Sequence, residues 1–101
     1  MSIFIEMKVA LKDKQIILKS HPKATQSKLL YFVNDILDNP RNLNTAGNPE
    51  QLKHSGIEIW SRKLTKKDRI VYGIKPRTNY NMPEEPAIVV FYQYLGHYQD
   101  K

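Results

Sequence analysis

The chain has 101 residues, no cysteine and a net charge of +6. That length supports one domain built on one core, and the missing cysteines exclude disulfides, thiolate metal sites and cysteine nucleophiles while fitting a reducing compartment. No apolar run approaches the ~20 residues that span a bilayer, and the start, MSIFIEMKVALKDK, lacks the basic stretch and small-residue cleavage site of a secretion signal; the expectation is a single cytoplasmic domain over 1–101, with no membrane contact.

The elements follow in chain order. Ser2–Val9 alternates loosely and predicts a first strand. Leu11–Lys19, carrying Ile16, Ile17 and Leu18, predicts a short helix, broken at His21-Pro22 because a proline cannot continue the preceding turn. Pro22 instead suits the first turn of a second helix running to about Asp38, where Leu29, Leu30, Val33, Ile36 and Leu37 form one apolar stripe. Asn39-Pro40 ends it, and the polar, turn-rich Arg41–His54 reads as a loop. Ile57–Leu64 and Arg69–Ile74 predict a hairpin with a charged turn. Lys75–Pro86, with three prolines, reads as a long loop, and Ala87–Leu95 (AIVVFYQYL) as the strongest strand. A helix pair followed by a run of strands implies an α+β fold: a small antiparallel sheet with two N-terminal helices on one face and the other face open to a ligand.

The charge is concentrated. Lys53, Arg62, Lys63, Lys66, Lys67, Arg69, Lys75 and Arg77 stand against only Glu58 and Asp68, so this stretch holds the whole positive excess. Such a surface attracts polyanions, nucleic acid first. Strand alternation sends Arg62 and Lys63 to opposite faces. Lys63 shares its face with Ile57, Ile59 and Ser61; Arg69 shares its face with Val71 and with Gly73, whose missing side chain leaves room for a bulky ligand.

Beside RNA, these residue types suggest a chemistry. Internal transesterification needs a base for the 2′-OH, cations for the phosphorane charge and an acid for the leaving 5′-oxygen. Glu50 offers a carboxylate, His97 a ring that titrates near neutrality, and Lys63 and Arg69 fixed charge. No metal or cofactor is implied, because His21, His54 and His97 lack ligand-like spacing. Each residue also has an ordinary reading: Glu50 as a polar loop residue, His97 as a surface histidine, the basic residues as solvated charges, Trp60 as a core anchor, and Phe91, Tyr92 and Tyr94 as core and sheet surface.

The pieces NPEQLK at 48–53, WSRKLTKKDRIVY at 60–72 and GHY at 96–98, in that order, resemble the YoeB/Txe toxins of bacterial toxin–antitoxin modules, within the RelE-like superfamily. The resemblance covers about residues 20–98. It implies a ribosome-dependent endoribonuclease that cuts mRNA in the A site of the small ribosomal subunit. It also implies a YefM-like antitoxin whose C-terminal segment wraps the toxin, and leaves a homodimer open. It assigns Glu50 as general base, His97 as general acid, Lys63 and Arg69 as phosphate charges, and Tyr98 as the residue that orients the phosphate or stacks on a base. Lys53, Arg62, Lys66, Lys67, Lys75 and Arg77 are expected RNA contacts. The sequence departs from the family pattern in three places. Lys63 stands where arginine is expected, Gln99-Asp100-Lys101 follows the tyrosine, and the 75–86 loop, with Tyr80, is longer than the expected turn. The competing expectation is a module that binds RNA or an antitoxin without cutting RNA; a DNA-binding regulator ranks last, since no basic recognition helix is visible.

Overall fold

The computed structural model describes residues 3–52, 58–75 and 88–96. Strand β1 (Ile3–Glu6) leads into helix α1 (Lys8–Ser20) and helix α2 (Lys23–Asp38), followed by strands β2 (Glu50–Leu52), β3 (Glu58–Lys63), β4 (Arg69–Lys75) and β5 (Ile88–Gln93). The sheet order is β1-β5-β4-β3-β2. All neighbours are antiparallel except β1 and β5, which run parallel, so the sheet is mixed. Alternation in β1 announces a strand but not its partner; the two helices carry the chain to β2 at the opposite edge of the sheet, and the antiparallel run β2–β3–β4–β5 returns to place β5 alongside β1 in the same direction.

The core lies between the helices and one sheet face. Trp60, Leu64, Ile70, Tyr72, Ile74, Val89 and Phe91 from the sheet side meet Ala10 and Ile17 of α1 and Leu29, Phe32 and Ile36 of α2. Phe32, not Leu30, is the buried centre of the α2 stripe, and Leu30 is exposed. Leu29, Phe32, Val33, Ile36 and Leu37 keep the three-and-four spacing, which turns position 30 off that face. In β5 a bulge opposite Val71 and Tyr72 inserts one extra residue. It resets the alternation, so that Phe91 and Tyr94 both enter the core, their rings 5.8 Å apart. Tyr92 is sent to the opposite face, where its ring occupies the space over Gly73. That space is filled from within the chain rather than left for a ligand. Ile59, Ser61, Val71 and Val90 on the same face are also buried, so the middle of the face expected to be open is covered, while Lys63 at its hairpin end and Lys75 at the other end of β4 are exposed.

One cation sits inside. Arg62 has no exposed surface. Its Nη1 donates to Asp35 Oδ2 at 2.7 Å, and the Thr45 hydroxyl donates to the same oxygen at 2.9 Å. Its guanidinium carbon lies 5.3 Å from the centre of the Phe32 ring, within cation–π range. Nε and Nη2 of Arg62 and the Tyr72 hydroxyl are buried without a hydrogen-bond partner among the described residues. Burial pushes the Tyr72 phenol up, partly opposed by the Arg62 charge. Gly47, at φ +90°, packs on the Arg62 stem: a Cβ there would stand 2.4 Å from Arg62 Cγ. Only glycine combines that backbone with that contact.

This node pins the segment between α2 and β2. Gly47 O accepts the Lys63 N–H at 2.7 Å, and the Arg41 guanidinium grips both Glu58 oxygens at 2.8 and 2.9 Å. Trp60 Nε1 donates to the same Glu58 carboxylate at 2.8 Å. The expected loop 41–54 therefore carries a short strand: Glu50 opens β2 and pairs with Ser61 of β3. Among the described residues no helix is long and apolar enough to cross a membrane.

Burial alone would raise the Asp35 carboxyl, but the hydrogen bonds from Arg62 and Thr45 and the Arg62 charge outweigh it and hold the group below the ordinary 3.8. A carboxyl held below its unfolded value contributes stability that is complete above that value and lost as pH falls through the folded one. Asp35→Ala leaves Arg62 buried without a carboxylate and is expected to cost about 3 kcal/mol in urea unfolding at neutral pH, the lower end for a broken buried pair because Asp35 is partly exposed. The difference from wild type should shrink as pH drops below about 4. A cost under about 0.5 kcal/mol would contradict the node's structural role.

Candidate functional site

Locking Arg62 inside dictates the outside. With position 62 committed to the core face, Lys63 must face away from it, and it is exposed. It stands directly opposite Arg69 in the ladder, and Ser61 stands between Glu50 on one side and Val71 on the other. Directly opposed residues share a face. Glu50, Lys63 and Arg69 therefore lie on one sheet face, at its hairpin end. Glu50 and Arg69 belong to the strands flanking β3 and are roughly 12 Å apart at the backbone from strand spacing and rise. Lys63, on β3, lies between them on the same face.

The β3–β4 turn fixes the cations. The Thr65 hydroxyl accepts the N–H groups of Lys67 at 3.1 Å and Asp68 at 3.0 Å and donates to Asp68 Oδ2 at 2.8 Å. Arg69 Nη1 donates to the carbonyls of Thr65 and Asp68, each at 3.1 Å, and more weakly to Lys66 O at 3.4 Å. The guanidinium is thus held against the turn instead of sweeping through solvent. Lys66 and Lys67 project from the same turn and are exposed. Lys28, Lys63, Leu64, Thr65, Lys66 and Arg69 line one open groove of about 320 Å³. Lys28 was not legible as a site residue: it arrives from α2, and no local pattern places it beside the hairpin turn. A groove with four cations concentrates anions.

A larger groove, about 550 Å³, lies on the helix side, lined by Phe4, Tyr31, Asn34, Asp35, Leu37 and Asp38. Among the described residues its charges are carboxylates alone, which disfavour phosphate, and the basic groove is the better candidate for nucleic acid.

The other expected residues fall as follows. Lys75 is exposed at the end of β4. The expected RNA contact at Arg62 is corrected: the side chain is buried against Asp35 and has no surface to offer. His97, Tyr98, Lys53 and Arg77 lie outside the described residues, as does the 76–86 part of the long loop. The chain leading to His97 is described as far as Gly96, whose carbonyl accepts the Arg69 N–H at 3.0 Å. Among the described residues no group of three or more histidines or carboxylates could hold a metal ion. Chemically, the face offers a carboxylate that can accept a proton and two cations that can meet charge developing on a phosphate between them.

Comparison with known proteins gives a consistent picture. Residues 8–83 match the family model for the YoeB-like toxin of bacterial type II toxin-antitoxin systems. A YoeB toxin of Escherichia coli is 33% identical over 52 residues, which span 50% of this chain and 62% of that protein. The solved structure of a YoeB/ParE toxin from Agrobacterium tumefaciens superposes with a TM-score of 0.74 at 19% identity, covering 95% of this chain and 99% of that one. A chain in the heterotetrameric YoeB–YefM toxin–antitoxin complex from Staphylococcus aureus gives 0.67 at 21% identity, covering 97% and 99%. At such identities the structural likeness establishes the fold.

Lys63→Ala is expected to weaken binding of a single-stranded RNA oligonucleotide and to lower the slope of log affinity against log salt by about 0.7, one phosphate contact on a single strand. Its unfolding free energy in urea should change by less than about 0.5 kcal/mol, because the side chain is exposed. An unchanged salt slope, read by fluorescence anisotropy, would remove Lys63 from the anion site.

Proposed function

The chain belongs to the YoeB-like toxins of bacterial type II toxin–antitoxin systems, and from that premise we propose that it is a ribosome-dependent endoribonuclease that cuts mRNA in the A site. The observation that supports this reading is the shared face: the β2–β3–β4 register puts one carboxylate, Glu50, and two cations, Lys63 and Arg69, on the same side of the sheet. Glu50 takes the proton of the ribose 2′-OH, and the oxygen attacks the adjacent phosphorus. Lys63 and Arg69 meet the charge that develops on the phosphorane oxygens. The bond to the 5′-oxygen breaks as His97 gives that oxygen a proton, leaving a 2′,3′-cyclic phosphate and a 5′-hydroxyl. Tyr98 orients the phosphate or stacks on a base. Lys28, Lys53, Lys66, Lys67, Lys75 and Arg77 hold the RNA backbone.

A YefM-like antitoxin is the expected inhibitor, and the cytoplasm, where ribosomes are, the expected compartment. The net charge of +6 suits an acidic partner. The half-exposed Ile3, Phe4, Ile5, Met7, Leu30 and Tyr31 offer a partner apolar surface on β1 and the helices. Lys63 favours a second reading, binding without efficient cleavage, because lysine carries the charge without the planar two-pronged grip of arginine on phosphate.

Primer extension on an mRNA incubated with translating ribosomes separates the two. Wild type should cut at A-site codons and only when ribosomes are present. Glu50→Gln and His97→Ala should each lower the single-turnover rate by ~10²–10⁴-fold, the usual contribution of a positioned base or acid. Lys63→Arg should cut at least as fast as wild type. Folded wild-type protein that leaves the message intact would overturn the nuclease reading and favour the binding module.

A further inference from the structure

The segment after β5 is held by carboxylates from two distant parts of the chain. Asp13, on α1, accepts the N–H groups of Tyr94 at 3.0 Å and Leu95 at 3.2 Å through one oxygen, Oδ2. Asp68, in the β3–β4 turn, accepts the Gly96 N–H at 2.8 Å through Oδ1, while its Oδ2 takes the Thr65 hydroxyl. Three consecutive backbone donors past the end of a strand would ordinarily turn to water. Here each meets a fixed carboxylate, and such charge-assisted bonds are the stronger kind. The carbonyls are held as well: Gln93 Nε2 donates to Leu95 O at 2.9 Å and the Arg69 N–H to Gly96 O at 3.0 Å. Below them the Tyr94 hydroxyl donates to Glu6 at 2.7 Å, and Glu6 is paired with Lys14 at 2.8 Å. Gly96 sits at φ +81°, where side-chain-bearing residues are strained.

The placement matters because of what adjoins it. Asp68 precedes Arg69 in the sequence, and Gly96 precedes His97. The turn that holds the Arg69 guanidinium therefore also holds the last described residue before the proposed acid. We propose that Asp13 and Asp68 are positioning residues for cleavage: they fix the Tyr94–Gly96 backbone so that His97 reaches the leaving oxygen of the phosphodiester whose charge Arg69 meets. Neither carboxylate transfers a proton in this scheme. The inference rests on the nuclease reading above.

The test compares two messages in single-turnover cleavage on ribosomes: one with an ordinary phosphodiester at the A-site cut, one with sulfur replacing the 5′-bridging oxygen there. A thiolate leaves without a proton, so a defect in the acid disappears on the sulfur bond. Asp13→Ala and Asp68→Ala are expected to cut the ordinary bond ~10- to 100-fold more slowly than wild type, the scale of a small misplacement of a catalytic group. On the sulfur bond the deficit should fall within about 3-fold, in parallel with His97→Ala. Asp68→Asn, which keeps an acceptor for the Gly96 N–H, should stay within about 3-fold of wild type on both. Should Asp13→Ala fail to fold, the two Asp68 variants carry the test. Equal deficits on both bonds would mean a purely structural clamp and overturn the inference, as would alanine variants as fast as wild type. Wild type that cuts neither message overturns the nuclease reading itself, and the inference with it.

Discussion

A single buried guanidinium organises this fold. Arg62 sits on the core face of β3 with its charge met by one carboxylate, Asp35 of α2. An unpaired charge in that position would be costly, so α2 cannot shift along the sheet without stranding it. Phe32, one turn earlier on the same helix, lies against the guanidinium, and the Gly47 backbone closes over its stem. Two separate segments, α2 and the chain at Gly47, are thereby registered on one side chain of β3. The consequence reaches the opposite face through strand alternation alone: with Arg62 committed inward, Lys63 is committed outward.

The outward face shows how little structure such a site needs. β2 is only three residues long, yet its pairing with β3 puts Glu50 opposite Ser61, the next residue on the same face of β3 before Lys63. The connection that delivers β2 is held by Arg41 on Glu58, Thr45 on Asp35 and Gly47 on Lys63. The basic turn contributes rigidity as well as charge, since its threonine and aspartate satisfy one another and the turn's own N–H groups. Preorganised charge of this kind needs little reorganisation when a phosphate arrives, which is where electrostatic stabilisation is most effective.

Much of this was legible in the sequence, and the rest was hidden for identifiable reasons. The hairpin, the second helix and the opposed directions of Arg62 and Lys63 follow from alternation, apolar spacing and proline chemistry. The family was legible in separated motifs, NPEQLK and WSRKLTKKDRIVY among them. β2 was hidden because three residues in a polar stretch show no periodicity; only the partner strand makes them a strand. The parallel pairing of β1 was hidden because alternation does not encode a neighbour's direction. The β5 bulge was hidden because one inserted residue leaves no local mark, and with it went the true occupant of the space over Gly73, the Tyr92 ring. Lys28 and Asp13 were hidden because their roles exist only across helix–sheet contacts. Arg62 looked like one more basic residue in a basic run, and its burial depends on an aspartate 27 positions earlier.

The central claim is that a carboxylate, two sheet cations and a C-terminal imidazole cut RNA by attack of its own 2′-oxygen. The most direct measurement is the chemical identity of the new ends, by mass spectrometry of the fragments released from a ribosome-bound message. The account predicts a 2′,3′-cyclic phosphate on the upstream fragment, a 5′-hydroxyl on the downstream one, and no cut when the ribose at the cleaved position lacks its 2′-hydroxyl. A 3′-hydroxyl with a 5′-phosphate, or undiminished cutting at the deoxyribose, would mean that water attacks instead, and would contradict the account.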